Sequence, residues 1–103
     1  MSKRGGSDSP EAQRLRLLRR ALNFDTQAAF AAHVGLEQKR YTNFENGYPL
    51  PRDAVLALVE HISGLSIDWI YLGRTDGLSV SLANRLREAE RTDDSARPRR
   101  RAS

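Results

Sequence analysis

The apolar residues of this chain recur at spacings of three and four, and glycines at 35, 47, 64 and 73 interrupt the pattern. Such spacing places side chains on one face of an α-helix, and a glycine can end a helix in the left-handed conformation. No segment shows the sustained period-two alternation that is typical of a half-buried strand. The sequence therefore predicts an all-α protein made of short helices.

The pattern predicts five helices between residues 10 and 73. Capping residues indicate three of the starts, at Ser9, at Asp25 or Thr26, and at Ser66. We expect the helices from 10 to about 23, from 27 to about 34, from 37 or 38 to 46, from about 51 up to 64, and over 67–72. A sixth helix could occupy 79–91, where leucines at 78, 82 and 86 are spaced by four. That leucine stripe could cover the core or help to form a dimer.

The positive charge is concentrated at the two ends of the chain. The formal net charge is +4, of which residues 1–9 and 92–103 carry +3 and residues 10–91 carry +1. We predict a disordered arm over 1–9, a folded domain over 10–73, a C-terminal extension over 74–91 and a disordered basic tail over 92–103. Because the folded part is almost neutral, nucleic-acid binding has to be argued from local arrangement rather than from net charge.

Several function classes are disfavoured by composition. The chain has no cysteine, which excludes disulfides, thiolate metal sites and cysteine nucleophiles. The longest apolar run, 54–59, is too short to span a membrane, and no apolar stretch follows Lys3 and Arg4 as it would in a signal peptide. His33 and His61 lack metal-ligand spacing, and no catalytic constellation is present. We expect a cytoplasmic protein without enzymatic activity, cofactor, metal or membrane association.

Residues 27–47 are the most informative stretch. A short helix, a tight turn at Gly35 and a second helix have the layout of a helix-turn-helix. The side chains left exposed on the second of these helices would be Gln38, Lys39, Arg40, Thr42 and Asn43. Glutamine, lysine, arginine and asparagine are the residue types that match base edges in the major groove. Two helices of an ordinary bundle with a polar outer face would give the same pattern.

Four segments in a fixed order add to this pattern. They read RLRLLR at 14–19, QAAFA at 27–31, FENG at 44–47 and SIDWIYLG at 66–73. Together they resemble motifs of the Cro and phage-repressor-like helix-turn-helix family, also called the XRE family. The resemblance implies a compact five-helix repressor-like DNA-binding domain from a bacterium or phage, which would act as a homodimer on a near-palindromic operator in double-stranded DNA.

The resemblance also implies a role for individual residues. The base-reading residues would be Gln38, Lys39, Thr42 and Asn43. The phosphate-binding residues would be Gln27, Arg40 and Asn46. Arg19 and Glu45 would form an ion pair between the first and third helices. The chain departs from the family pattern at Ala29, Glu37 and Tyr41, and the Glu37 carboxylate would repel a phosphate or accept from a cytosine amino group.

The sequence leaves three functions open. The favoured one is a sequence-specific transcriptional regulator, acting as a repressor. The second is the antitoxin of a toxin–antitoxin pair, which would bind DNA and a toxin. The third is a protein-interaction module that keeps the fold without binding DNA. A neighbouring toxin gene would favour the second, and the absence of salt-dependent DNA binding would favour the third.

Overall fold

The computed structural model describes residues 9–96, which form six α-helices and no strand. The helices are α1 (Pro10–Ala21), α2 (Gln27–Val34), α3 (Gln38–Glu45), α4 (Arg52–His61), α5 (Ile67–Leu72) and α6 (Val80–Ala96). The prediction of an all-α protein is confirmed. Within the same residues, no helix is both long enough and apolar enough to cross a membrane.

Local signals place three helix starts and the end of α2 as the sequence indicated, whereas α1 ends at Ala21 and α4 at His61, before the predicted 23 and 64. The hydroxyls of Ser9, Thr26 and Ser66 each accept a hydrogen bond of 3.1 Å from the backbone N–H three residues later. Each bond satisfies an N–H group that has no partner inside its helix. At the start of α2, Thr26 takes this role and Asp25 does not. Gly35 then ends α2 with a φ of 78°, the left-handed conformation.

The core lies where α1 packs on α3, α5 and α6 while α2 packs on α3 and α4. Its fully buried large apolar and aromatic side chains come from five of the helices and are Leu15, Leu18, Phe30, Tyr41, Leu58 and Ile70. The Phe30 ring meets the Phe24 ring edge to face at 5.3 Å and the Tyr41 ring at 5.2 Å. These aromatic contacts connect the loop before α2 to the inner face of α3.

The C-terminal helix α6 belongs to the folded unit. Leu82 and Leu86 are buried and pack with the core of the same chain, and α6 lies against α1. The leucine stripe therefore covers the core. The Ser79 hydroxyl accepts from the Leu82 N–H at 3.1 Å and caps the helix.

The end of α6 differs from the expected boundary. The helix runs to Ala96, whereas the sequence placed its end at 91 and a disordered tail from 92. Residues 92–96 are poor in apolar side chains, but no proline or glycine interrupts them before Pro98. A helix that has already formed extends at little cost when nothing breaks it. The rest of the predicted tail, 97–103, and residues 1–8 of the predicted arm lie outside the described residues.

Truncating a leucine of α6 tests whether this helix stabilises the domain. Leu86 is 5% exposed, so Leu86→Ala should lower the free energy of unfolding by about 2–5 kcal/mol through lost burial and a residual cavity. Val80, on the same helix, is 77% exposed, and Val80→Ala should change it by about 0.5 kcal/mol or less. Urea unfolding measures both. Equal effects of the two substitutions would show that α6 does not pack on the core.

Candidate nucleic-acid interface

A tight turn joins α2 to α3 and fixes their relative position. The Leu36 N–H donates to the Ala31 carbonyl at 2.9 Å across the left-handed Gly35. A side chain at Gly35 would be strained by this φ and would lie 3.4 Å from the His61 ring. Ala31 is fully buried, and its small side chain allows α2 and α3 to pack closely.

Helix α3 has a buried inner face and a polar outer face. The inner face consists of Tyr41, Phe44 and Glu45. The outer face of α3 consists of Gln38, Lys39, Thr42 and Asn43, together with Asn46 just past the end of the helix. Gln38, Lys39 and Asn46 are exposed, and Thr42 and Asn43 are partly exposed. The structure thus places the four predicted base-reading residues on one surface.

Most donors and acceptors on this surface have no partner within the chain. Among the described residues, the side chains of Gln38, Lys39 and Asn43 make no hydrogen bond or ion pair. Their amide and ammonium groups are therefore available to a ligand without breaking an internal interaction. Thr42 differs from them because its hydroxyl is already bonded to Gln27.

The inner face of α3 carries a buried ion pair. The Arg19 Nε atom donates to Glu45 Oε2 at 2.9 Å, and Arg19 Nη2 donates to Glu45 Oε1 at 3.3 Å. Glu45 is 1% exposed and Arg19 is 15% exposed. The predicted pair between the first and third helices is present, and its two parallel bonds fix the plane of the guanidinium against the carboxylate.

Two further side chains donate to the same carboxylate. The Gln27 Nε2 atom donates to Glu45 Oε1 at 2.9 Å, and the Tyr41 hydroxyl donates to Glu45 Oε2. The Thr42 hydroxyl in turn donates to Gln27 Oε1 at 3.2 Å. These five residues, Arg19, Gln27, Tyr41, Thr42 and Glu45, are called the Glu45 cluster below. The cluster joins α1, α2 and α3 and reaches the outer face of α3 at Thr42.

The hydrogen bonds determine which groups of the cluster are charged. Burial alone would raise the pKa of Glu45, but the donors from Arg19, Tyr41 and Gln27 outweigh it and hold the pKa below its ordinary value. The hydrogen bond to Glu45 raises the pKa of Arg19 despite burial. Burial, together with the bond to Glu45, raises the pKa of Tyr41 far above its ordinary value. At neutral pH the cluster is an ion pair with a protonated tyrosine as donor.

Two of the predicted phosphate-binding residues have partners of their own. Gln27 is turned towards Glu45 and Thr42. Arg40 lies at the side of α3 that faces α4, where its Nη2 atom is 2.9 Å from Asp53 Oδ1 and its guanidinium lies 5.5 Å from the centre of the Phe44 ring. Both members of the Arg40–Asp53 pair are exposed, so the pair is weak and Asp53 can be exchanged for a phosphate.

Sequence reasoning missed the hydrogen bonds of three side chains on α1 and α3. In the sequence Tyr41 stands out only as a departure from the family pattern, although its spacing of four from Glu45 on one helix could have suggested the contact. Arg14 donates to the Ile70 carbonyl at 2.8 Å, and Arg16 donates to the Glu45 carbonyl. Each arginine places a positive charge at the C-terminal end of a helix, where it is stabilising. No local signal could reveal these two contacts, because the partners are distant in the sequence.

The two histidines take part in ordinary packing. The His33 ring lies 5.0 Å from the Phe24 ring, and His61 Nδ1 lies 2.9 Å from the Ala57 carbonyl oxygen. In the part of the chain that the structure describes, no three histidine, aspartate or glutamate side chains come together as a metal site would require.

Comparisons with family models, with curated proteins and with solved structures give no match to this chain.

A double-mutant cycle measures the strength of the buried pair. Glu45→Ala leaves three donors without their acceptor and should lower the free energy of unfolding by about 3–5 kcal/mol. The double mutant with Arg19→Ala should lose less unfolding free energy than the two single mutants lose in sum. The difference should be about 0.5–3 kcal/mol, measured by urea unfolding. The exposed Arg40–Asp53 pair is the matched control, with a coupling of about 1 kcal/mol or less. Additive losses at Arg19 and Glu45 would contradict the pair.

The pKa of Glu45 predicts a pH dependence of stability. The pKa is lower in the folded state than the value of about 4.3 in an unfolded chain, so the folded state binds fewer protons. The stability that this difference provides is present above about pH 4.3 and is lost as the pH falls through the folded pKa. The natural protein should therefore exceed Glu45→Gln in unfolding free energy by an amount that shrinks as the pH falls below about 4.3.

Urea unfolding at several pH values measures this gap. Glu60→Gln removes an exposed carboxylate and controls for the change in net charge. A gap for Glu45→Gln that stays constant over the whole range would mean that the carboxylate is not held in its charged form by the fold.

Proposed function

We propose that this protein is a sequence-specific transcriptional repressor that binds double-stranded DNA as a homodimer at a near-palindromic operator. The observation that supports the proposal is the outer face of α3, which presents base-matching side chains on a helix whose opposite face is fixed by the core. An α-helix fits the major groove of DNA, and amide and ammonium side chains match the base edges there. The proposal places the protein in the cytoplasm with the DNA that it regulates.

The order of residues along α3 suggests how bases would be read. Gln38 and Lys39 lie in the first turn, and the N-terminal residues of a reading helix contact base edges most directly. The amides of Gln38 and Asn43 can each give and accept a hydrogen bond and so match adenine. Lys39 can donate to guanine O6 and N7.

The phosphate contacts are few. Arg40 can exchange Asp53 for a phosphate, and Asn46 lies exposed just past the end of α3. One hydrogen of the Gln27 amide remains free for a phosphate, because the other is bonded to Glu45. Few contacts and a nearly neutral folded part predict a modest salt dependence, since each phosphate contact changes the logarithmic slope by about 0.9.

One copy of α3 spans only a few base pairs, so tight and specific binding requires two copies. Two reading helices related by a two-fold axis must meet the groove about 34 Å apart, one turn of DNA. Selection of bound sequences from random duplexes tests the proposal. We expect a two-fold motif whose half-sites are one turn apart. No motif together with no salt-dependent binding would overturn the proposal and favour a protein-interaction module.

Two substitutions separate base reading from phosphate binding. Gln38→Ala should weaken binding to the preferred operator by about 1–3 kcal/mol and relax the base choice at one position. Arg40→Ala should weaken binding to all sequences alike and reduce the salt slope by about 1, because a phosphate contact carries no base information. Binding titrations on the operator and on a scrambled duplex, at several salt concentrations, measure both effects. The assignment is wrong if Arg40→Ala changes the motif while Gln38→Ala does not.

A further inference from the structure

In the Glu45 cluster, each hydrogen bond between the buried carboxylate and the outer face of α3 has only one possible donor and one possible acceptor. A carboxylate has about four positions at which it can accept a hydrogen bond. Glu45 fills them with two bonds from Arg19, one from Gln27 and one from Tyr41. A proton on Glu45 would displace one of these donors, so Glu45 only accepts.

Because Glu45 only accepts hydrogen bonds, it determines the orientation of the Gln27 amide. Only the Nε2 atom of that amide can donate, so it faces Glu45 Oε1 at 2.9 Å. The Oε1 atom of Gln27 is then the atom that lies 3.2 Å from the Thr42 hydroxyl. A carbonyl oxygen cannot donate, and therefore the Thr42 hydroxyl must.

A hydroxyl has one hydrogen, and at Thr42 the bond to Gln27 uses it. The partly exposed side of Thr42 therefore offers a ligand only oxygen lone pairs. A threonine without such a neighbour rotates its hydroxyl and can donate or accept, and so it tolerates several bases. At Thr42 the internal bond removes that tolerance.

We infer that Thr42 is a specificity-determining residue that accepts a hydrogen bond from a base amino group, N6 of adenine or N4 of cytosine, in the major groove. The inference rests on the proposed function, because it assumes that the outer face of α3 enters that groove. Guanine O6 and N7 and thymine O4 are acceptors, so they would face the Thr42 lone pairs without a hydrogen between them. Gln27 is the positioning residue that gives Thr42 this selectivity.

Sequence selection with three forms of the protein tests the inference. With the natural chain, we expect one position in each half-site to prefer adenine or cytosine on the contacted strand. Thr42→Val keeps the shape and a methyl group but removes the hydroxyl, and it should lose that preference. Thr42→Ser, the matched control, keeps the hydroxyl and should retain it.

Base analogues then identify the atom that is read. The operator is prepared with purine in place of the adenine, or 2-pyrimidinone in place of the cytosine, so that only the amino group is missing. The loss of one neutral hydrogen bond should weaken the natural chain about 2- to 10-fold and leave Thr42→Val unaffected. An equal loss for both proteins would overturn the inference, as would no loss for either.

Gln27→Ala separates the positioning role from a purely structural one. Without Gln27, the Thr42 hydroxyl is free to donate, so guanine or thymine should become acceptable at the position that Thr42 reads. An unchanged preference in a folded Gln27→Ala protein would overturn the positioning role. If Gln27→Ala does not fold, the comparison of Thr42→Val with Thr42→Ser still decides whether Thr42 reads a base.

The outcomes distinguish the two proposals. A two-fold motif in which Thr42→Val has the same base preferences as the natural chain would overturn the inference and leave the proposed function standing. A preference for guanine or thymine at that position would do the same. A natural chain that selects no motif at all would overturn both.

Discussion

The structure depends on one buried carboxylate. Glu45 is the single buried charged residue among residues 9–92, and its donors come from α1 through Arg19, from α2 through Gln27 and from α3 through Tyr41. A charge removed from water is tolerated only where its hydrogen bonds are complete. Any other placement of α3 against α1 and α2 would remove donors from Glu45. The cost of an unpaired carboxylate thus selects one orientation of α3, whatever the pair adds to net stability.

A polar cluster can do what an apolar contact at the same place could not. Packed methyl groups could also hold α3 in place, but they make no hydrogen bonds. They could therefore not determine which neighbouring groups donate and which accept. Here the ionised state of Glu45 orients Gln27, and Gln27 orients the hydroxyl of Thr42 at the surface. The same interaction therefore stabilises the helix arrangement and sets the chemistry of the outer face of α3. Under the proposed function this coupling matters, because the folded part carries almost no net charge that would attract DNA.

The sequence predicted the helices well because their signals are local. Ser9 and Ser66 cap as expected, whereas the choice of Thr26 over Asp25 needed the structure, since either side chain can cap. The Arg19–Glu45 pair was expected only through a family resemblance. The remaining contacts were out of reach, because a sequence gives the volume of Tyr41 but not the direction of its hydroxyl. It likewise shows that Gln27 is polar but not that its amide turns inward.

The most direct test of the account is to map where DNA touches the protein. Amide chemical shifts in NMR, recorded while the selected operator duplex is added, report this residue by residue. We predict that the largest changes fall on residues 38–46 and on the start of α2 near Gln27, with α5 and the far end of α6 unchanged. Changes concentrated on α5 and α6, with α3 unaffected, would contradict the claim that the outer face of α3 is the DNA-binding surface.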